Sequence, residues 1–178
     1  SLEVVDFFPA YYEHLKNIID FEKIKTLNSH IIFDGLYSAS IGYFDAILKD
    51  NGVEFESLHM NYDSEFGGGM PDPKPKYLKA LMERVKSTSN SIGLANDGDA
   101  DRFGVINEKG EYVSPNVIIA ILLKYLLKKG YTGAVVKTVG SSLLIDNVAQ
   151  KLRVNVIETA VGFKHVGEAM RKNDVIIG

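Results

Sequence analysis

Residues 134–158 read AVVKTVGSSLLIDNVAQKLRVNVIE, and this stretch decides the fold. A strand is expected over 134–138, a helix over 141–152 and a second strand over 154–158. Strands joined by helices of about 10 to 15 residues make βαβ units, and such units build a mainly parallel sheet. The pattern continues on both sides. Toward the end of the chain come a helix over 165–172 and a strand over 175–177. In the other direction, Ser114-Pro115 opens a strongly apolar helix that runs to Lys129 and closes at Gly130. Its stripe of Val117, Ile118, Ile121, Leu122, Tyr125 and Leu126 reads as core.

Before the tight turn Glu108-Lys109-Gly110 the same style repeats. A helix is expected from about Pro9 to Lys25, then a strand over 30–34 (HIIFD), a helix over 38–49 stopped by Asn51-Gly52, and a strand over 53–60. A Gly- and Pro-rich loop over 61–75 leads to a helix over 76–86 and a strand over 91–95. The next strand is 103–107. The fold class is therefore α/β: two consecutive α/β units with mixed, mostly parallel sheets flanked by helices, one over 1–112 and one over 113–178. The chain begins with Ser and its terminal strand runs into Gly178, so the expectation is a piece of a longer protein.

Composition narrows the function classes. The 178 residues hold 20 Lys+Arg against 23 Asp+Glu, a net charge of −3, with 46% hydrophobic and 24% charged residues. Those proportions belong to a globular protein, not a disordered or fibrous one. No basic block offers a surface to nucleic acid or to an anionic membrane, and neither partner is expected. The longest apolar stretch, 117–127, is interrupted by Lys124 and is far shorter than the roughly 20 residues a bilayer needs. With no cysteine, disulfides, thiolate metal sites and cysteine nucleophiles are excluded. No secretory signal opens the sequence, and a cytoplasmic location is expected.

The residues that carry chemistry are Asn96-Asp97-Gly98-Asp99-Ala100-Asp101-Arg102, between two expected strands. In extended backbone alternate side chains point the same way, so a curved loop can aim all three carboxylates at one point. Crowded carboxylates repel and raise one another's pKa unless a cation holds them. A hard divalent ion suits oxygen donors, and Mg²⁺ fits where water or another anion completes its octahedron. Arg102 adds a fixed fork of donors suited to a phosphate beside the metal. Two other readings compete. A calcium EF-hand loop also begins D-x-D-x-D, with Glu108 at its twelfth position, but Arg102 stands where that loop needs Gly and both flanks read as strands. A plain solvated acidic turn is the other.

The segment Ile92-Gly93-Leu94-Ala95-Asn96 followed by D-G-D-A-D-R-F-G-V-I resembles the metal loop of the α-D-phosphohexomutases, the phosphoglucomutase and phosphomannomutase family. Phe66-Gly67-Gly68-Gly69-Met70-Pro71-Asp72-Pro73 resembles the Gly/Pro linker of that family's second domain. Glu158-Thr159-Ala160-Val161-Gly162-Phe163-Lys164-His165 is similar to its sugar-specificity loop, with His165 where phosphoglucomutase-like members carry an aromatic residue. The resemblance spans nearly the whole chain.

It implies domain 2 over 1–112 and most of domain 3 over 113–178, with domains 1 and 4 absent. It implies that Asp97, Asp99 and Asp101 bind Mg²⁺, that Arg102 and Lys137 are catalytic, and that Gly162, Phe163 and Lys164 contact the sugar. The implied reaction is an intramolecular phosphotransfer between hexose 1-phosphate and hexose 6-phosphate through a bisphosphorylated sugar, with glucose 1-phosphate and glucose 6-phosphate the expected pair because of Gly-Phe-Lys. The phosphoserine loop, usually Thr-Ala-Ser-His-Asn-Pro, does not occur in the sequence, so this segment alone is expected to be inactive. The alternative from another class is a non-catalytic divalent-metal (calcium) binding α/β module. Gly140-Ser141-Ser142 reads as a helix cap, His14 and His30 as structural, and His59 and His165 could be either structural or functional. Gly67–Gly69 is no P-loop, since no Lys-Ser/Thr and helix follow.

Overall fold

His30–Asp34, β1, lies second in a five-stranded sheet, between β2 (Phe55–Leu58) and β3 (Ser91–Asn96), with β4 (Phe103–Ile106) and β5 (Tyr112–Val113) completing the order β2-β1-β3-β4-β5. It is parallel to both neighbours, whereas β4 runs antiparallel to β3. An unbroken apolar run such as HIIFD belongs to a strand covered on both faces. Ile31, Ile32, Phe33 and Asp34 are all buried. The structure is a computed structural model that describes residues 3–178, and those residues divide into two compact units after Tyr112.

In the first unit, α4 (Lys79–Ser87) lays Leu81 and Val85 on Ile32, Ala95 and Ile106. The contact is close at Gly93, where a Cβ would come within 2.9 Å of both Ile106 Cβ and Val85 Cγ2. The other face carries Ile31, Leu48 and Val53, the second of them from α3 (Phe44–Asp50). A further cluster of Tyr12, Phe21 and Ile47 ties α1 (Phe8–Lys16) and α2 (Phe21–Lys25) to α3.

Several expected elements are shorter than the periodicity suggests. The helix expected over 9–25 is broken into α1 and α2, because the Asn17 side chain turns back to the Glu13 carbonyl (3.1 Å) and Asp20 caps the N–H of Lys23 (3.0 Å). The helix expected over 38–49 begins only at Phe44. Ahead of it, Gly42 takes φ +84° and gives its N–H to Asp45 (2.7 Å), a turn that precedes the helix. The strand β5 is an addition to the expected elements. It comes after the anticipated turn, where Gly110 at φ +77° lets Asn107 N–H reach the Glu111 carbonyl at 2.8 Å.

The second unit is a three-stranded parallel sheet in the order β7-β6-β8, from β6 (Ala134–Thr138), β7 (Val156–Thr159) and β8 (Val175–Ile177). The helices α5 (Pro115–Lys128), α6 (Leu143–Leu152) and α7 (Phe163–Lys172) connect and cover it. Leu123, Val135, Ile145 and Ala149 form its core. The apolar stripe expected as core in α5 is a correction. Leu123, outside that stripe, is the helix's fully buried residue, while Ile121, Leu122 and Tyr125 are exposed. A helix apolar all round can press only one face onto the sheet, and Ile119, Leu123 and Leu127, four residues apart, take that place. Among the described residues no helix is long and apolar enough to cross a membrane.

Candidate functional site

The antiparallel pair β3 and β4 ends at Asn96 opposite Phe103, which leaves six residues, 97 to 102, to reverse the chain. Ala100 takes φ +61°, and its N–H closes on the Asp97 carbonyl at 3.2 Å. This reversal brings Asp97, Asp99 and Asp101 together: each offers a carboxylate oxygen, and the three oxygens lie within 4.8 Å of one another. Asp97 is buried at the base of the loop while Asp99 and Asp101 stand at its rim. The flanks are strands, so the loop is not the helix-flanked EF-hand loop.

Electrostatics within the loop point to a cation. The charge of Asp99 is the main cause that lifts the Asp101 carboxyl above its ordinary range, with burial and Asp97 adding to it. Burial pushes Asp97 up as well, but Arg102 outweighs it and holds that carboxyl low. The Arg102 backbone N–H donates to Asp97 Oδ1 at 2.9 Å and its Nε to Oδ2 at 2.7 Å. Its Nη1 reaches Asp72 at 3.4 Å, and Lys74 pairs with the same carboxylate at 2.7 Å. Hard oxygen donors converging with mutual repulsion fit Mg²⁺ or a similar divalent ion.

Asp72 is a residue that sequence reasoning missed. The Gly/Pro segment that reads as a linker is a wall of the site. The Pro71 carbonyl accepts the Gly98 N–H at 3.0 Å, and a Cβ on Gly98 would meet Pro71 Cγ at 2.9 Å. The sequence signal was an acid between two prolines, Pro71-Asp72-Pro73. Asp34 and His59 were likewise undervalued: His59 Nδ1 lies 2.8 Å from Asp34 Oδ1.

The remaining expected residues sit in the second unit. Lys137, near the carboxyl end of β6, is buried, with Nζ 2.7 Å from Asp146 and 3.0 Å from Glu158. The hydrogen bond to Asp146, then that to Glu158, raises its pKa, so the ammonium is firmly charged. Beyond the end of β7, Gly162 adopts φ +130° at the start of α7, a conformation that L side chains rarely adopt. Phe163 follows, 94% exposed, and Lys164 is exposed beside it. The β6–α6 and β7–α7 turns adjoin, since a Cβ on Gly140 would lie 3.8 Å from Val161. Both turns stand at the carboxyl edge of a parallel sheet, where α/β folds bind ligands. Ser142 caps α6 through the Leu144 N–H at 3.1 Å, as expected of Gly140-Ser141-Ser142.

Both units are similar to known proteins. Residues 9–110 match the model of phosphoglucomutase/phosphomannomutase α/β/α domain II, and residues 114–178 match that of domain III. A phosphoglucosamine mutase from Methanocaldococcus jannaschii is 34% identical over 173 residues, covering 94% of this chain and 38% of that protein. A phosphoglucomutase/phosphomannomutase from Thermococcus kodakarensis is 31% identical over 178 residues, covering 100% of this chain and 39% of that protein. A crystal structure from Thermus thermophilus, assigned as a phosphomannomutase, superposes with a TM-score of 0.90 at 29% identity and covers 98% of this chain and 41% of that one. The chain belongs to the phosphoglucomutase/phosphomannomutase family, whose members here are phosphohexomutases. It corresponds to well under half the length of these relatives.

Proposed function

We propose that this chain is the metal-binding and sugar-recognising part of a Mg²⁺-dependent phosphohexomutase that interconverts hexose 1-phosphate and hexose 6-phosphate through a bisphosphorylated sugar. The observation that carries the reading is the convergence of the Asp97, Asp99 and Asp101 oxygens within 4.8 Å. Those three residues would hold Mg²⁺, which supplies Lewis-acid neutralisation of phosphoryl oxygens, worth several kcal/mol in the transition state. The chain's own residues do the rest. Arg102, anchored by Asp97 and Asp72 yet with a side chain 58% exposed, presents its guanidinium to a phosphate at the loop. Lys137 keeps a fixed ammonium at the sugar edge of the second unit, and Gly162, Phe163 and Lys164 form the loop that meets the sugar. Phosphoryl transfer is mostly positioning and charge neutralisation, which is what such a set provides.

Gly-Phe-Lys favours glucose phosphates, while the names carried by relatives such as the Methanocaldococcus protein favour glucosamine phosphate. The test has two arms. The 178-residue chain should bind Mg²⁺ calorimetrically, and Asp99→Ala should weaken that binding more than about a hundredfold, beyond what residues behind a metal's ligands usually cost. The polypeptide that carries this segment with a phosphoserine-bearing domain should then be assayed on glucose, mannose and glucosamine 1-phosphates. Normal turnover by Asp99→Ala in that longer protein would refute the loop's role.

A further inference from the structure

The acidic loop is held from outside by a strained turn, and the role assigned to that turn rests on reading the loop as a divalent site. Asp34 ends β1 opposite Ala95 of β3, two residues before Asp97. It is wholly buried. Its Oδ1 takes the Leu36 N–H at 3.0 Å and faces His59 Nδ1 at 2.8 Å, whereas Oδ2 has no hydrogen-bond partner among the described residues. A buried carboxylate with an idle oxygen costs stability, so something must be gained for it.

Backbone strain gathers at the same place. Leu36, Tyr37 and His59 have φ of +44°, +57° and +51°, although none is glycine. Side chains persist in that region only where their surroundings over-determine them, and such residues cluster at functional sites. Here the constraints are visible. Gly35 N–H donates to the Leu58 carbonyl and Tyr37 N–H to the His59 carbonyl, each at 3.0 Å, and the Tyr37 and His59 rings lie 4.8 Å apart. The turn so fixed leads directly to Ala39, whose N–H donates to the Gly98 carbonyl at 3.2 Å. Gly98 is the residue between Asp97 and Asp99, and its N–H is pinned on the other side by Pro71.

We propose that Asp34 and His59 are positioning residues for the metal loop: their pairing locks the 35–39 turn, and Ala39 then sets the Gly98 peptide and with it the spacing of Asp97 and Asp99 around a divalent cation. Neither residue touches the ion. Their effect is read as metal affinity, not as fold.

The experiment is Mg²⁺ titration of the 178-residue chain by calorimetry, with circular dichroism to confirm folding. His59→Leu should weaken binding about tenfold, and His59→Asn, whose Nδ2 can stand in for Nδ1 and which tolerates a left-handed backbone, should restore it to within about twofold. Val53→Ala loosens the other core cluster of the same unit, which holds no residue of the turn, and should leave the affinity unchanged. Should His59→Leu not fold, His59→Gln, which displaces the polar head by one bond, takes its place with the same expected loss. Unaltered affinity in the folded His59 variant, or an equal loss in Val53→Ala, overturns the positioning role while leaving the metal site standing. Failure of the unsubstituted chain to bind Mg²⁺ overturns the site and the positioning role together.

Discussion

Asp34 sets a balance that can be followed by pH. Burial is the main cause that lifts its carboxyl above the ordinary aspartate range, with the Leu36 N–H and His59 opposing it. The folded state therefore holds the proton more tightly than the unfolded chain does. Its contribution to stability is fullest below the unfolded pKa near 3.9 and is lost as pH rises through the folded value. Asp34→Asn removes that titration while keeping an acceptor at Oδ1. The stability difference between the natural chain and Asp34→Asn, followed by urea unfolding from pH 4 upward, should thus shift steadily in favour of the variant. A difference independent of pH would mean that Asp34 titrates normally. Arg102 illustrates the opposite case: its backbone N–H at 2.9 Å and its guanidinium Nε at 2.7 Å both donate to Asp97, so that one loop carboxylate stays charged although buried.

At the scale of the element, β3 couples the core to the site. Its buried positions alternate, with Gly93 and Ala95 turned toward α4 and Ile106, and the strand delivers Asn96 and Asp97 at its end. Gly93→Ala would drive a methyl against Ile106 and Val85, and overpacking of this kind costs about 1–3 kcal/mol. Urea unfolding should report that loss, and a variant as stable as the natural chain would show that α4 can move away. What the sequence made legible obeys the same logic of distance. The acidic loop could be read because its three carboxylates lie within five consecutive residues, and the βαβ pattern because each element carries its own periodicity. The Asp34–His59 and Lys137–Asp146–Glu158 groups could not, since strand register and helix packing assemble them from residues 25, 9 and 21 positions apart. Helix lengths are overestimated by periodicity for a related reason. Apolar spacing continues through 17–20 and 38–43, but the Asn17, Asp20 and Asp45 side chains offer the backbone local hydrogen bonds that compete with the helix. The α5 stripe misleads because apolar composition alone does not say which face meets a sheet.

For the whole molecule, the function proposed above gives the two units different parts of one chemistry. The first carries the carboxylates and Arg102, and the second carries Lys137 and the Gly162–Lys164 loop. Moving a phosphoryl group between two ends of a hexose also needs a group that gives up and takes back that phosphoryl. The sequence has no Thr-Ala-Ser-His-Asn-Pro loop, and the chain spans only 38% and 39% of the Methanocaldococcus and Thermococcus relatives. Binding and turnover should therefore separate. The 178-residue chain is expected to bind Mg²⁺ yet convert no glucose 1-phosphate to glucose 6-phosphate in a dehydrogenase-coupled assay, even with glucose 1,6-bisphosphate present. A parallel preparation of Asp97→Ala controls for contaminating mutase, which would contribute equally to both. Turnover in the natural chain alone would place a phosphoryl carrier inside these residues, and the division of labour proposed for the two units would fall.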